Sequence, residues 1–258
     1  MLTNNEILRI ALSQSAVDMS CDPDDFLKDE PTVVISRTNA GARRYLKLPF
    51  TLDITSYGHS AVASTMPEYA GFVGEYLRKY PTEHLFETPN LHVLNDYFEA
   101  QGFRVCFMAE YFLPDVDALK PLDCPYDLRF LEKGAFSDLY VPTWSNALSF
   151  SRPEDDVLAL GAYDGEKLIG LAGCSRDAEE MWQIGIDVLP ACRRQGVASA
   201  LTSRLALEIL RRGKVPFYCA AWSNIPSVRN AIRSGFRPAW VELTVKSRET
   251  VDGMNEGH

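Results

Sequence analysis

The thirteen residues Asp187-Val-Leu-Pro-Ala-Cys-Arg-Arg-Gln-Gly-Val-Ala-Ser199 join an apolar run to an amphipathic one through a short basic turn. Such a turn can hold a phosphate. Met181 to Leu189 reads as a buried strand that ends at Pro190. Beyond the turn, Val197, Leu201, Leu205 and Ile209 recur every four residues while Arg204, Glu208 and Arg211 point elsewhere, so a helix begins at the turn. The first N–H groups of a helix have no intrahelical acceptor, and the dipole adds partial positive charge there. An anion at Gln195 to Ser199 would therefore be held by backbone and by Arg193 and Arg194, with Gly196 allowing close approach.

The elements around the turn give it a context. Val215 to Trp222 reads as a second apolar strand, followed by Ser223-Asn224, a helix from about Pro226 to Ser234, Gly235 as its cap, and Phe236 opening another strand. Upstream, Tyr126 to Leu131 reads as a strand and Lys133 to Ala147 as one or two helices. Val157 to Tyr163 and Lys167 to Ser175 read as strands joined at Asp164-Gly165, a hairpin signal. From about Pro125 to Ser247 this order resembles the GNAT superfamily of acyl-CoA-dependent N-acyltransferases. The resemblance implies an α/β fold of GNAT type, with a mixed, splayed central sheet flanked by helices. It also implies acetyl-CoA as cosubstrate and direct attack of an amine on its thioester in a ternary complex.

Carried onto this chain, the resemblance assigns Arg193, Arg194, Gln195, Gly196, Val197, Ala198 and Ser199 to the pyrophosphate, and Ile186 and Val188 to the pantetheine amides. The Val188 backbone N–H would polarise the thioester carbonyl. Asn224 and Ser227, at the head of the later helix, would meet the pantetheine arm; for Asn224 plain N-capping is also expected. Tyr140, Trp144, Asn146 and Trp182 are expected at the acceptor pocket, with a core role equally open for Trp144. The proton-handling positions depart from the family pattern. The strand position that often carries a base is Trp182 here, and that of the usual leaving-group tyrosine is Ala231; neither can exchange a proton at neutral pH. Asp187 is the nearest carboxylate, although strand alternation sets it on the face opposite Trp182, Ile184 and Ile186. It is either a base or a residue turned elsewhere.

A length of 258 residues allows one large or two modest domains. The expected division is a smaller α/β domain over 1–113, a linker over 114–125 rich in proline and acid, the GNAT domain over 126–247, and a flexible tail over 248–258. Glu83 to Val105 echoes Phe217 onward: Asn90 and Asn224 each precede a helix, and Gly102-Phe103-Arg104 matches Gly235-Phe236-Arg237. The echo is either a convergent helix cap or the trace of a diverged, partial copy of the same fold, one that would wall the acceptor pocket without binding CoA. The formal charge of −9 argues against a nucleic-acid or membrane surface and would suit a cationic acceptor. Six cysteines without a Cys-x-x-Cys pair read as buried thiols, four histidines lack metal-ligand spacing, and no apolar run approaches a membrane span. These features point to a cytoplasmic protein without a metal, acting on a small-molecule or peptide amine. Two rivals stand beside that reading. One is an acyl-CoA-binding or sensing module without turnover; the other is an aminoacyl transferase acting on cell-wall precursors, which would not need the phosphate turn.

Overall fold

The computed structural model describes residues 2–256. Its elements are α1 (Asn4–Met19), β1 (Thr32–Ile35), β2 (Leu52–Ser56), β3 (Ala61–Thr65), α2 (Ala70–Lys79), α3 (Thr88–Ala100), β4 (Phe103–Pro114), β5 (Asp127–Glu132), β6 (Asp156–Asp164), β7 (Lys167–Ser175), β8 (Met181–Val188), α4 (Val197–Arg211), β9 (Val215–Ala220), α5 (Ile225–Arg233), β10 (Phe236–Ser247) and α6 (Arg248–Glu256). Among the described residues no helix is long and apolar enough to cross a membrane.

The chain divides into two compact units, and the division is not the linear one expected. Among the described residues, one unit holds Ala11–Tyr111 together with Ala239–Glu256; the other holds Leu2–Ile10 and Phe112–Pro238. In the first, the strand order is β1-β3-β2-β10-β4, with β10 antiparallel to β2 in the register Leu243↔Ile54. Val73, Tyr76 and Leu77 of α2 share one helical face, as do Leu94 and Phe98 of α3, and both faces close over Leu52, Ile54, Ala61, Ala63, Leu243 and Val245. A second buried group in this unit is charged. Arg43 donates from its backbone to Asp18 Oδ1 at 2.8 Å and from Nη2 to Glu242 Oε1 at 2.6 Å, and its Nε meets Asp18 Oδ2. Burial, with the nearby Glu242 carboxylate second, holds the Asp53 carboxyl well above the ordinary carboxylate range.

In the other unit the order β9-β8-β7-β6-β5 runs antiparallel from β5 to β8 and parallel from β8 to β9. Val197, Leu201, Leu205 and Ile209 of α4 are all buried, as their spacing requires. Three expectations about local structure need correcting. The stretch 133–147 contains no α-helix, only two short turns, Ser137–Leu139 and Pro142–Trp144. Pro142 lacks the N–H a helix needs and biases Val141 away from helical geometry; the apolar residues instead form a cluster of Phe136, Trp144, Ala147, Leu148, Ala159 and Leu171. The stretch 115–126 has no helix or strand but is no free spacer, because Arg204 Nε of α4 donates to Leu122 O at 2.9 Å and Leu119 is buried. The echo around Asn90 lacks its leading strand: residues 82–84 form a turn, α3 starts at Thr88, and Asn90 Nδ2 donates to His84 O at 2.7 Å.

Two further expectations fail outside that unit or across the chain. The expected loose tail is helix α6 as far as Glu256, paired through Asp252 with Arg104; residues 257–258 lie outside the described residues. All six cysteines are unpaired, but Cys174 alone among them is buried.

Candidate active site

The central geometry is a parting of two parallel strands. Strand β8 pairs with β9 through Met181↔Val215, Trp182↔Pro216 and Gln183↔Phe217, and there the pairing ends. On its other side β8 stays paired with β7 as far as Gly170↔Val188. Leu189 N donates to Ile169 O at 2.9 Å on the β7 side. Backbone groups alternate sides along a strand, so the N–H and C=O of Ile184, Ile186 and Val188 are aimed the other way, into the opening beside β9. Ile186 and Val188, the two residues assigned to the pantetheine arm, are thus placed with their backbone groups along the opening.

The basic turn stands at the end of that opening. Pro190–Cys192 forms a single turn, and Arg194 (φ 62°) and Gly196 (φ 82°) both adopt left-handed geometry before α4 begins. Such alternation curls successive N–H groups into a concave surface suited to an anion. No side chain caps α4, so the first N–H groups of Val197, Ala198 and Ser199 are left for an external acceptor. Arg193 is fixed by donation from Nε to Val188 O at 3.0 Å, while Arg194 is exposed. Two assigned side chains are committed elsewhere, so only their backbones can serve. Gln195 Oε1 accepts from the Tyr126 hydroxyl at 2.9 Å, and Ser199 Oγ donates to Asn230 Oδ1 at 3.0 Å. Val197 is buried against the face that carries Gly170 and likewise offers only its backbone.

Asn224 caps α5, accepting from Ser227 N at 3.3 Å. Ser227 Oγ lies 2.8 Å from the hydroxyl of Tyr218, a buried residue of β9 that sequence reasoning passed over. Burial raises the Tyr218 pKa, against the hydrogen bonds of Ser227 and Asn230. Its signal was faint: a tyrosine inside an apolar strand reads as core, and the partnership with Ser227 appears only after α5 folds back.

The face of β8 opposite α4 carries Gln183, Gly185 and Asp187. Asp187 is not a free base. Its Oδ2 accepts from Asn146 N at 2.8 Å and Ala147 N at 3.0 Å, and its Oδ1 from Asn146 Nδ2 at 2.8 Å. Beneath the same segment lie Gly173 and Gly185, opposite each other in register. A Cβ on Gly173 would stand 2.2 Å from Ala147 O, and one on Gly185 1.9 Å from Asn146 O, so only glycine lets the segment rest on the sheet. The chain held there walls a cavity of about 380 Å³, lined by residues 145–152 with Asp156, Ser175, Gln183 and Gly185.

The aromatic residues assigned to the pocket need correction. Trp144 is buried in the apolar cluster and Trp182 is buried on the α4 face; neither lines the cavity. Tyr140 reaches it indirectly, by donating to Asp156 Oδ2 at 2.9 Å, while Asn146 lines it but spends its side chain on Asp187. Asp156 and Gln183 were missed, because only the strand register brings them to one cavity. Among the described residues no group of three or more His, Cys, Asp or Glu could hold a metal ion.

These elements make an α/β domain with a mixed sheet whose parallel strands part before a basic, uncapped helix start. Residues 122–236 match the model of the Acetyltransferase (GNAT) family. Solved structures similar to the chain include a GNAT acetyltransferase from Novosphingobium aromaticivorans, 19% identical over 56% of this chain and 66% of that one, with a TM-score of 0.45. A GCN5-related N-acetyltransferase from Sphaerobacter thermophilus is 17% identical over 73% of this chain and 72% of its own, with a TM-score of 0.48. An aminoglycoside N-acetyltransferase, AAC(6')-Iy in complex with CoA, is 22% identical over 47% of this chain and 93% of its own, with a TM-score of 0.36. No curated protein matches the chain.

Proposed function

We propose that the protein transfers an acetyl group from acetyl-CoA to a primary amine, by direct attack with both substrates bound. The observation that carries this reading is the parting of β8 from β9 beyond Gln183/Phe217, with the α4 start at its end. Acetyl-CoA supplies an activated acyl thioester. The chain's own residues bind and orient it. The N–H groups of residues 195–199 and the Arg194 guanidinium receive the pyrophosphate, and the backbone groups of Ile186 and Val188 receive the amides of the arm. The Val188 N–H, aimed into the opening, serves as donor to the carbonyl oxygen as charge develops there. The Tyr218 hydroxyl, fixed beside Ser227, holds the proton available on the α5 side, where Ala231 leaves no hydroxyl.

The test is calorimetry with CoA. Gly196 has open space around its Cβ position but a left-handed φ, so Gly196→Asp strains the turn and sets a carboxylate against the phosphate. Affinity should fall by at least about 2 kcal/mol, the scale of a charge-assisted bond lost and a like charge gained. Unchanged affinity in a folded variant would remove the phosphate from this turn. An acyl-CoA-binding module without turnover remains the second reading, favoured by Trp182 and Ala231 at the proton-handling positions and by the engagement of Asp187. It predicts the same CoA affinity with no amine-dependent release of thiol.

A further inference from the structure

The cavity beside β8 contains a buried carboxylate with an unused oxygen. Asp156 is 1% exposed, and both of its bonds fall on Oδ2: Tyr140 Oη donates at 2.9 Å and Ser149 N at 2.8 Å. Oδ1 has no partner among the described residues. An ionised carboxylate offers about four acceptor positions and is costly to bury without a donor, so Oδ1 calls for one. The nearby cation is engaged elsewhere. Arg152, which also lines the cavity, lies with Nη1 3.1 Å from Asp155 Oδ2 and 2.9 Å from Asp177 Oδ1.

The sheet register places Asp156 relative to the opening. Asp156 pairs with Ser175, and Ser175 with Gln183, the last residue of β8 before it parts from β9. Two strand spacings, about 10 Å, therefore separate Asp156 from the start of the opening. Asp156, Ser175 and Gln183 all line the one cavity.

We propose that Asp156 is an anchor for an ammonium group of the acceptor other than the one that reacts, so that the acceptor is an aliphatic diamine or polyamine spanning the cavity. The proposal rests on the acetyltransferase reading for the role of the opening, but the anchor itself is a binding site that can be measured without CoA. An ammonium at Oδ1 completes the carboxylate's bonds and supplies its counter-charge, while Ser149 N and the Tyr140 hydroxyl fix the oxygen pair in place. Burial holds the Asp156 carboxyl above its ordinary range, against the bonds from Ser149 and Tyr140. A cation there draws it back toward the ionised form.

The probe is 1,6-diaminohexane, titrated calorimetrically into the full chain at 0.15 M salt. One molecule should bind per chain, and Asp156→Asn should weaken it about ten-fold or more, the loss of one charge-assisted bond. Hexamethonium keeps both charges but has no N–H donors. It should bind the unaltered protein at least ten-fold more weakly than the diamine, an arm that needs no variant to fold. CoA titrated into both proteins should give equal affinities. Equal diamine binding by Asp156→Asn, equal binding of hexamethonium, or no diamine binding at all would overturn the anchor. Loss of CoA binding by the unaltered protein would instead overturn the acetyltransferase reading and leave the amine result to stand by itself.

Discussion

Asp187 separates two accounts of the site, because substitution by Asn and by Ala has opposite meanings under each. As a latch, the carboxylate holds the backbone N–H groups of Asn146 and Ala147 and the Asn146 side chain. Asp187→Ala strands those donors. The N–H of Asn146, on an exposed residue, regains water; that of Ala147, on a residue 4% exposed, does not. One orphaned buried donor costs about 1–3 kcal/mol and the lost charge-assisted bonding about 1.5 kcal/mol, so Asp187→Ala should destabilise the protein by about 3 kcal/mol. Asp187→Asn keeps a carbonyl oxygen for both backbone donors, and a flip of the Asn146 amide restores the third bond, so its cost should stay below about 1 kcal/mol. Urea unfolding measures both. In a thiol-release assay with acetyl-CoA and an amine, the latch predicts that Asp187→Asn stays within about ten-fold of the unaltered rate, with the same pH profile. A general base predicts a loss of about 10²–10⁴ with stability intact. That second result would refute the latch.

Two further predictions follow from the same geometry and from the charged core. Gly185→Ala sets a Cβ at 1.9 Å from Asn146 O and must lift residues 145–148 off the sheet, at about 1–3 kcal/mol or more; diamine binding should be lost and CoA binding kept, and calorimetry showing the diamine unaffected would contradict the seat. The Asp53 carboxyl is held well above its ordinary range, so the folded state keeps a proton that the unfolded chain releases, and stability falls as pH rises from the ordinary carboxylate range upward. Asp53→Asn cannot ionise and can still accept from Thr55 Oγ1, which lies 3.2 Å from Asp53 Oδ1. Measured by denaturant unfolding from pH 5 to pH 8, it should gain on the unaltered protein at each step, and a constant difference would show that Asp53 does not carry the effect.

What could be read from the sequence was what is local. The run from Met181 to Ile209 announces strand, turn and helix because Pro190, Gly196 and a four-residue apolar spacing each act within a few residues of themselves. The stretch 133–147 misleads for the converse reason: its apolar residues have helical density, yet Pro142 breaks the hydrogen-bond ladder and the cluster around Trp144 rewards a coiled path. The misplaced site residues have a common cause. An aromatic residue does not declare which face of a strand it occupies, so Trp182 fell under α4 and Trp144 into the core. Asp156, Ser175 and Gln183 are far apart in sequence and meet only through the register of three strands. Gly173 and Gly185 look like ordinary strand glycines until the segment above them is in place.

The interleaving of the two units bears on how the chain can be made and cut. Strand β2 finds its partner β10 only through pairs such as Ser56↔Val241, and β10 also separates β2 from β4. During synthesis the first sheet therefore waits, with an open slot and two bare strand edges, until nearly the whole chain has emerged, which is a condition that favours mispairing and chaperone capture. Proteolytic nicking near residue 114 would not release two self-sufficient pieces, since the N-terminal fragment lacks the strand that fills its sheet and the C-terminal fragment carries that strand away. Swapping or grafting residues 122–236 by a single junction would fail for the same reason.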